Sequence, residues 1–362
     1  MLRDRRLSGL AKYFAMVAAL ALTAGTLAAC GDDDPTTTTA AAPLTVATAE
    51  ATQAGTPGEA VDVSIALDWY PWGNHSGLYL AQANGYFEDE GLNVNIYVPG
   101  DPATGLQLVA TGRDTFTISY QTDVLLARAE GLEVVSVAAL VQHPLNSIMA
   151  LESSGIERPS DLAGRTIGMA GVASDEPLLR SMLEADGLTL DDVELVTVGF
   201  DLMPALLGGT VDAVIGAYWV HESILVEQQG ESVNVIRIED WGVPDHYELL
   251  LVTGERFAAE NPEVVERFIR AMRLGYADAD ADREAAIDAL VVAAPETDRE
   301  LELEGIELLA PLWTDDGTVA FGTQTEERWE TYAAWLLEND ILTQDIPVGE
   351  AFTNEFVERA SR

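Results

Sequence analysis

Aromatic, amide and acidic residues gather at the points where predicted β-strands end. The first group follows the apolar stretch VSIALDW (63–69) and includes Asp68, Trp69, Asn74 and His75. An indole ring offers a flat face for stacking, while amide, imidazole and carboxylate groups can orient a bound molecule through hydrogen bonds. This combination favours binding of a small molecule with a flat face. Residues of similar types follow later predicted strands, namely Tyr120, Gln121, Tyr218 and Tyr247.

A glycine-rich stretch, GMAGVASDE (168–176), leads into a predicted helix in the second half of the chain. Such a loop usually suggests an anion-binding site at the helix N-terminus. Asp175 and Glu176 occupy the first turn, however, where they complement the helix dipole themselves and would repel phosphate. The stretch therefore favours an uncharged, amine-bearing or cationic ligand, and we predict Glu176 as the carboxylate that accepts from it.

Each of these residues also has a purely structural interpretation. Trp69 could pack in the core, Asn74 and His75 could cap the helix that follows them, and Asp68 could hold its own loop through backbone N–H groups. Glu176 could serve only to stabilise the start of its helix. The sequence leaves these alternatives open.

The sequence has few of the residues that covalent or metal-assisted catalysis requires. Lys12 is the only Lys, the only Cys is Cys30, and the four His residues show no HExxH spacing. A Schiff base needs Lys, and a zinc protease needs paired His ligands. No nucleophile and base stand at a plausible spacing. We therefore predict a binding protein without enzymatic activity, metal or cofactor.

The net charge of the chain argues against two classes of binding partner. Acidic residues outnumber basic ones by 61 to 19 over 362 residues, for a formal net charge of −42. Nucleic-acid backbones and anionic membrane surfaces attract basic patches, so neither is an expected partner. A hydrophobic fraction of 48% is ample for a sizeable core. We expect a monomer.

The N-terminus has the features of a bacterial lipoprotein. A basic start with Arg5, Arg6 and Lys12 precedes a short apolar stretch that ends in Leu-Ala-Ala-Cys at Cys30. This pattern predicts a signal peptide over residues 1–29, since the apolar stretch is short for a membrane span and no stop-transfer charges follow. The Leu-Ala-Ala-Cys sequence resembles the lipobox, so we predict that Cys30 carries a lipid.

Residues 30–60 are dominated by Thr, Ala, Pro, Gly and acids without an apolar period. Such a composition predicts a disordered tether between the lipid and the folded part. The expected localisation is therefore extracytoplasmic, with a lipid anchor in the cell membrane.

From Val61 onward, strand-like stretches alternate with helix-like segments of about ten residues, which predicts parallel βαβ units. A second series of strands follows the first, and the chain ends in successive helical segments. We predict an α/β protein with one lobe at 61–150, a second lobe at 151–247, and a return to the first lobe with C-terminal helices at 248–362. Ligands of open α/β sheets bind beyond the carboxyl ends of the strands.

The residues around the first strand carry a family likeness. LDWYPWGNHSGLYLAQANGYFEDEGLNVNIYVPGDP (67–102) resembles the opening of the ThiY-like proteins, which deliver pyrimidine precursors of thiamine to ABC importers. The likeness continues through VATGRDTFTISYQ (109–121), DLAGRTIGMAG (161–171), GGTVDAVIGAYW (208–219) and FAAENPEVVERFIRAM (257–272). It implies a two-lobed type II periplasmic-binding-protein fold, with an ABC permease and ATPase as partners. The implied ligand is an aminopyrimidine such as formylaminopyrimidine or hydroxymethylpyrimidine, with Trp69 as its stacking ring.

The sequence also departs from that family. Members usually have Thr and Asn where this chain has Tyr70 and Trp72, which predicts a bulkier pocket mouth. The fungal pyrimidine synthases of the same fold use an active-site Lys and His and a Cys-rich segment. Here the matching stretches, ISYQTD (118–123) and VPDHY (243–247), contain no Lys or Cys and only His246. Alternative readings are a binding protein for riboflavin, a sulfonate or another heterocycle, and a pyrimidine-metabolising enzyme.

Overall fold

The computed structural model describes residues 60–362. The predicted signal peptide at 1–29, Cys30 and all but the last residue of the predicted tether at 30–60 lie outside the described residues. Within residues 60–362, no helix is long and apolar enough to cross a membrane.

The described chain contains two five-stranded sheets. Their strands, in chain order, are β1 Val61–Ala66, β2 Leu92–Tyr97, β3 Phe116–Ser119, β4 Val134–Val141, β5 Asn146–Leu151, β6 Thr166–Met169, β7 Glu194–Thr197, β8 Ala213–Tyr218, β9 Val233–Arg237 and β10 Leu249–Gly254. The first sheet has the order β2-β1-β3-β10-β4 and forms the core of the first lobe. The second has the order β7-β6-β8-β5-β9 and forms the core of the second lobe.

The sheets are mixed, whereas the alternating pattern predicted parallel units. β1 is parallel to β2 and β3, and β6 is parallel to β7 and β8. β10 is antiparallel to both of its neighbours, as is β5. These two strands are the first ones that the chain enters after crossing from one sheet to the other. A crossing needs no helical return, so the constraint that makes βαβ units parallel does not apply to them.

The two crossings lie at residues 142–145 and 238–248. The first crossing differs from the boundary predicted after residue 150, because β5 (146–151) pairs with β8 and β9 of the second sheet. Apolar, β-forming residues run on both sides of the crossing, so composition changes little where the sheet changes. The return to the first sheet begins with β10 at Leu249.

Helices cover both sheets and make up most of the segment that follows β10. In chain order they are α1 Ser76–Ala83, α2 Tyr86–Asp89, α3 Gly105–Ala110, α4 Gln121–Ala129, α5 Asp175–Ala185, α6 Leu202–Leu207, α7 Glu222–Gln228, α8 Glu255–Glu260, α9 Pro262–Ala281, α10 Arg283–Ala293, α11 Arg299–Leu309, α12 Glu326–Glu338, α13 Val348–Ala351 and α14 Glu355–Ala360. The predicted helical C-terminal segment is therefore confirmed. It returns to the first sheet, where Ala139 N–H of β4 donates to Gly322 O at 3.0 Å.

Two glycines let α1 and α9 pack closely in the first lobe. A Cβ at Gly275 would lie 2.1 Å from Gly77 O, and a Cβ at Gly77 would lie 2.5 Å from the Tyr276 ring. This close approach brings the Tyr276 hydroxyl to the main-chain oxygen of Asn74, to which it donates at 2.6 Å. The helix pair thereby fixes the loop that follows β1, where the candidate site begins.

Candidate ligand-binding site

A cavity lies between the two lobes, at the edge where the parallel strands end. Asp68 and Trp69 follow β1, Tyr120 follows β3, Ala170 follows β6, and Tyr218 ends β8. The antiparallel strands β5 and β10 begin at this same edge, so residues at their starts also reach the cavity. The complete lining is Asp68, Trp69, Tyr120, Thr122, Asn146, Ala170, Val172, Ser174, Asp175, Leu178, Gly216, Tyr218, Glu222, His246 and Glu248.

Three of the predicted aromatic residues line this cavity: Trp69, Tyr120 and Tyr218. Trp69 and Tyr120 belong to the first lobe and Tyr218 to the second, so aromatic rings face the cavity from both sides. Their flat faces can bind a planar ring by stacking, which is the chemistry that the sequence predicts.

The lobes also touch each other through aromatic rings at the rim of the cleft. The Trp69 ring centroid lies 4.8 Å from that of Phe200 in the second lobe, and Tyr70 lies at the same distance from Phe200. Deeper in the cleft, Trp72 of the first lobe packs against Tyr218 with 5.6 Å between centroids. Tyr70 is 51% exposed at the mouth while Trp72 is buried, so only Tyr70 adds bulk at the entrance.

Asp175 is a buried carboxylate at the start of α5. Its Oδ2 accepts hydrogen bonds from Gly171 N–H at 2.7 Å and Val172 N–H at 3.1 Å. Ala170 N–H is a third backbone donor close to this carboxylate, and it helps to stabilise the ionised form. Burial, partly offset by the bond from Gly171 and reinforced by the nearby Asp123, raises the pKa of Asp175 to about 7.

Glu248 makes the same kind of contact at the crossing before β10. Its Oε2 accepts from Leu145 N–H at 2.6 Å and from Asn146 N–H at 3.1 Å. Burial raises the pKa of Glu248 to about 7, against the lowering effect of these two bonds and of the Tyr218 hydroxyl. Each carboxylate therefore has one oxygen committed to the backbone and one that can accept from a ligand.

His75 acts on the loop after β1 rather than on the cavity. Its Nε2 lies 2.9 Å from Asp68 Oδ1, and its Nδ1 accepts from Trp72 N–H at 3.4 Å. Both side chains of the His75–Asp68 pair are buried. The Tyr120 hydroxyl reaches the other Asp68 oxygen at 3.4 Å. The pair therefore holds Asp68 in the cavity wall, and the structural interpretation of His75 fits its position.

Three further predicted residues are buried behind the cavity, where they support its walls. Asn74 Oδ1 accepts from Trp313 Nε1–H at 3.2 Å. Gln121 Oε1 accepts from Tyr247 N–H at 2.8 Å, and the Tyr247 hydroxyl accepts from a backbone N–H of the C-terminal segment at 2.7 Å. None of the three side chains is part of the lining, so a direct contact with a ligand does not fit their positions.

Glu176 is exposed and lies outside the cavity, so its predicted role as the acceptor needs correction. Asp175, one residue earlier, lines the cavity. Consecutive side chains on a helix point about 100° apart, so a shift of one position moves a carboxylate from the cavity to the solvent. The feature that distinguishes Asp175 from Glu176 is burial, and the sequence gives no direct measure of burial.

The lining is acidic. It includes Asp68, Asp175, Glu222 and Glu248 and, among the residues that line the cavity, no Arg or Lys. His246 adds no positive charge near neutral pH, because burial lowers its pKa to about 4. Removal from water makes an anion next to such carboxylates very unfavourable. The cavity therefore suits a neutral or cationic molecule that donates hydrogen bonds.

The family model described as NMT1/THI5 like matches residues 72–286. The chain belongs to this family. A formylaminopyrimidine-binding protein from Halalkalibacterium halodurans is 37% identical over 308 residues, which cover 84% of this chain and 93% of that protein. The predicted family likeness is thus confirmed.

The family includes enzymes as well as binding proteins. A 4-amino-5-hydroxymethyl-2-methylpyrimidine phosphate synthase from Aspergillus parasiticus is 29% identical over 247 residues, 64% of this chain and 71% of that enzyme. Among solved structures, the alkanesulfonate-binding protein SsuA from Xanthomonas axonopodis pv. citri aligns with a TM-score of 0.66 and 16% identity, over 82% of this chain and 99% of that one. At this identity the likeness establishes the fold alone, and the predicted two-lobed binding-protein fold is confirmed.

Proposed function

We propose that this chain is the substrate-binding component of an ABC importer and captures a pyrimidine precursor of thiamine, such as formylaminopyrimidine, between its two lobes. The observation that carries the proposal is the composition of the cavity. Aromatic rings from both lobes line the cavity together with Asp175 and Glu248, each of which commits only one carboxylate oxygen to the backbone, and no Arg or Lys lines the same space. The related binding protein named for formylaminopyrimidine supports this choice of ligand.

The cavity offers a partner for each polar part of an aminopyrimidine. The exocyclic amine donates to Asp175 Oδ1 or Glu248 Oε1, the oxygens that do not serve the backbone. Asn146 gives its side-chain oxygen to Gly216 N–H at 3.1 Å, which leaves its NH₂ group to donate to a ring nitrogen. Trp69 covers a face of the ring. These contacts come from both lobes and from a crossing, so binding favours the closed cleft.

A sulfonate is a poor ligand for this cavity despite the fold shared with SsuA. A sulfonate is a permanent anion and needs cationic or N–H donors, whereas the lining supplies carboxylates. Riboflavin and other neutral heterocycles remain alternatives within the same chemistry.

Synthase activity is also disfavoured by the residues present. No Lys occurs in residues 60–362, and His246 is buried with its ring stacked on Tyr332 at 4.3 Å between centroids. Its Nδ1 lies 2.9 Å from the Pro244 carbonyl oxygen, so that nitrogen carries the proton and is engaged. We infer that the chain binds its ligand without converting it.

The remaining parts of the proposal follow from a role in import. The partners are a permease and an ATPase, the location is extracytoplasmic, and a lipid on Cys30 attaches a monomeric protein to the membrane. Substitution Cys30→Ala tests the anchor: the variant is expected to leave the membrane fraction or to remain unprocessed. Retention of a cleaved Cys30→Ala protein in the membrane would contradict lipidation at this residue.

The ligand assignment is tested by isothermal titration calorimetry with the intact lipid-free protein. Formylaminopyrimidine and hydroxymethylpyrimidine are expected to bind, and taurine is expected not to bind. Riboflavin serves as the competing neutral heterocycle, and recovery of unchanged ligand after long incubation checks for turnover. If taurine or riboflavin binds tightly and neither pyrimidine binds, the proposed ligand assignment is wrong.

A further inference from the structure

Glu302, a buried residue of α11, contacts both lobes at once. Its Oε2 accepts a hydrogen bond from Gly73 N–H in the loop after β1, at 2.6 Å. Its Oε1 lies 3.0 Å from His221 Nε2, at the start of α7 in the second lobe. One carboxylate in the C-terminal segment therefore connects the first lobe to the second.

His221 continues this connection to the ligand cavity. Its second ring nitrogen, Nδ1, lies 3.0 Å from Glu222 Oε1. Glu222 lines the cavity, and its Oε2 accepts from Tyr218 N–H at 2.8 Å. The contacts thus run from Gly73 through Glu302 and His221 to a carboxylate of the cavity wall.

The chemistry of the ring determines its charge. An ionised carboxylate only accepts hydrogen bonds, so a histidine between two of them must donate from both nitrogens and carry a positive charge. Burial alone would lower the pKa of His221, but Glu222 and then Glu302 outweigh it and raise that pKa to about 10. Trp72 of the first lobe packs against the ring at 5.3 Å between centroids, and the His75 ring lies 6.0 Å from the same indole.

The backbone of α11 also packs closely against the second lobe near this cluster. Gly305 lies one turn after Glu302 on the same face of α11, and a Cβ there would approach Val220 O to 2.9 Å. Gly73 faces Glu302 Oε2, which would lie 3.4 Å from a Cβ on that residue. The contact at Gly73 would tolerate a Cβ, whereas the approach of Gly305 to Val220 requires glycine, so the close packing of α11 against the second lobe depends on that residue.

We propose that His221 is a positioning residue of the cleft, which holds the Glu222 carboxylate in the cavity wall and, through Glu302, ties the second lobe to the Gly73 loop when the cleft is closed. The inference rests on the proposed function, because the affected carboxylate belongs to the proposed ligand cavity. Opening the cleft separates Glu302 from one of its two partners, so the contacts of this carboxylate favour the closed cleft. Ligand affinity therefore depends on a helix that does not touch the ligand.

The test compares four variants by calorimetry with formylaminopyrimidine. His221→Gln removes the positive charge and is expected to weaken binding at least about tenfold, since two buried carboxylates lose a donor. Glu302→Gln weakens binding less, because the Gly73 N–H keeps an acceptor. His221→Lys keeps a cation with several donors and is expected to restore most of the affinity. Glu300→Gln, an exposed change on the same helix, leaves affinity unchanged.

A pH profile separates positioning from a general loss of structure. Affinity of the wild-type protein should fall as the pH approaches 10, where His221 loses its proton. In Glu302→Gln, one of the two carboxylates that raise this pKa is gone, so the fall should begin at a lower pH. Equal affinities and identical pH profiles in all variants would overturn the proposal.

A measurement without ligand keeps this proposal distinct from the proposed function. Titration of His221 by NMR should show a protonated ring up to about pH 10 in the wild type and a lower pKa in Glu302→Gln. If formylaminopyrimidine fails to bind the wild type, the ligand assignment fails while this titration still decides the role of His221. Titration of His221 near the ordinary histidine pKa in the wild type would overturn its role.

Discussion

Asp175 and Glu248 engage the backbone in the same way from two different parts of the fold. Each gives one carboxylate oxygen to two consecutive backbone N–H groups, and each lines the ligand cavity. Burial raises the pKa of both to about 7. One lies at the start of α5 in the second lobe and the other at the crossing before β10. The cavity therefore has two rigidly held acceptors whose charge changes near neutral pH.

Substitution of Asp175 tests its role as an acceptor for the ligand amine. Asp175→Asn keeps the size of the side chain and an oxygen for the backbone, but replaces the second oxygen with a donor. Binding of formylaminopyrimidine should weaken by about ten- to a hundredfold in calorimetry, because a charge-assisted hydrogen bond is lost. The neighbouring exposed change Glu176→Gln is the matched control and should have no effect. The reverse pattern would restore Glu176 as the acceptor.

The affinity for an aminopyrimidine should rise with pH through about pH 7. A donor from the ligand favours the ionised carboxylate, so a protonated Asp175 or Glu248 must release its proton when the ligand binds. The dissociation constant should fall between pH 6 and 8 and then level off. Calorimetry at pH 6.5 in buffers of different ionisation enthalpy should detect proton release. Proton uptake at that pH would show that these carboxylates bind the ligand in their neutral form.

The stability of the ligand-free protein should change in the opposite direction over the same range. The folded-state pKa values of Asp175 and Glu248 are about 7, above the values of an unfolded chain, so their contribution is present at low pH and is lost as pH rises through 7. His221, whose pKa is raised to about 10, acts in the same direction above pH 6.5. The lowered pKa of His246 makes stability rise with pH, but only between about pH 4 and pH 6.5, which is outside this range. The melting temperature should therefore decrease from pH 6.5 to 8, and less so in Asp175→Asn.

The sequence predicted the α/β class, the two-lobed fold and the helical ending, and it marked three aromatic residues that line the cavity. Strand ends are readable from hydrophobic patterns, and Trp69, Tyr120 and Tyr218 all stand at such ends and line the cavity. The same patterns could not locate the crossing at 142–145, because strands of similar composition flank it. Which sheet a strand joins depends on pairing partners far away in the chain.

The acidic part of the site was harder to predict because it depends on long-range contacts. Glu248 is held by the N–H groups of residues about a hundred positions earlier, at the other crossing. Glu302 meets Gly73 across 229 positions. No local spacing marks either residue. The contacts of His75 are local, because its partners Asp68 and Trp72 are close in sequence. These contacts fit a structural role for His75 in the loop after β1, which was one of the two roles that the sequence allowed.

The contact between α1 and α9 makes a prediction for stability. Gly275→Ala places a Cβ 2.1 Å from Gly77 O, so the helices must move apart and the loop after β1 must shift with them. Overpacking of this kind costs about 1–3 kcal/mol or more. Urea denaturation should show a matching loss of unfolding free energy. Gly349→Ala is the control, because a Cβ there meets nothing within 4 Å. Equal stabilities of the two variants would show that the helices pack less closely.

The final prediction concerns the two roles that Trp69 can play. Its ring lines the cavity and also packs against Phe200 of the opposite lobe. Phe200→Ala removes only the contact between the lobes, which for an aromatic pair contributes about 0.5–1.5 kcal/mol beyond area burial, so affinity should weaken about two- to tenfold. Trp69→Ala removes that contact and the stacking face, and stacking on an aromatic side chain contributes about 1–3 kcal/mol per base in comparable sites.

Trp69→Ala should therefore weaken formylaminopyrimidine binding more than Phe200→Ala, and the difference measures stacking. In the double variant, the loss of Phe200 should add little, because its partner Trp69 is already gone and only Tyr70 remains against it. X-ray scattering gives the independent readout: the radius of gyration should decrease on ligand binding in the wild type, and a higher ligand concentration should be needed in Phe200→Ala. Equal effects of the two single changes would assign Trp69 to closure alone and would place the ligand ring against Tyr120 and Tyr218.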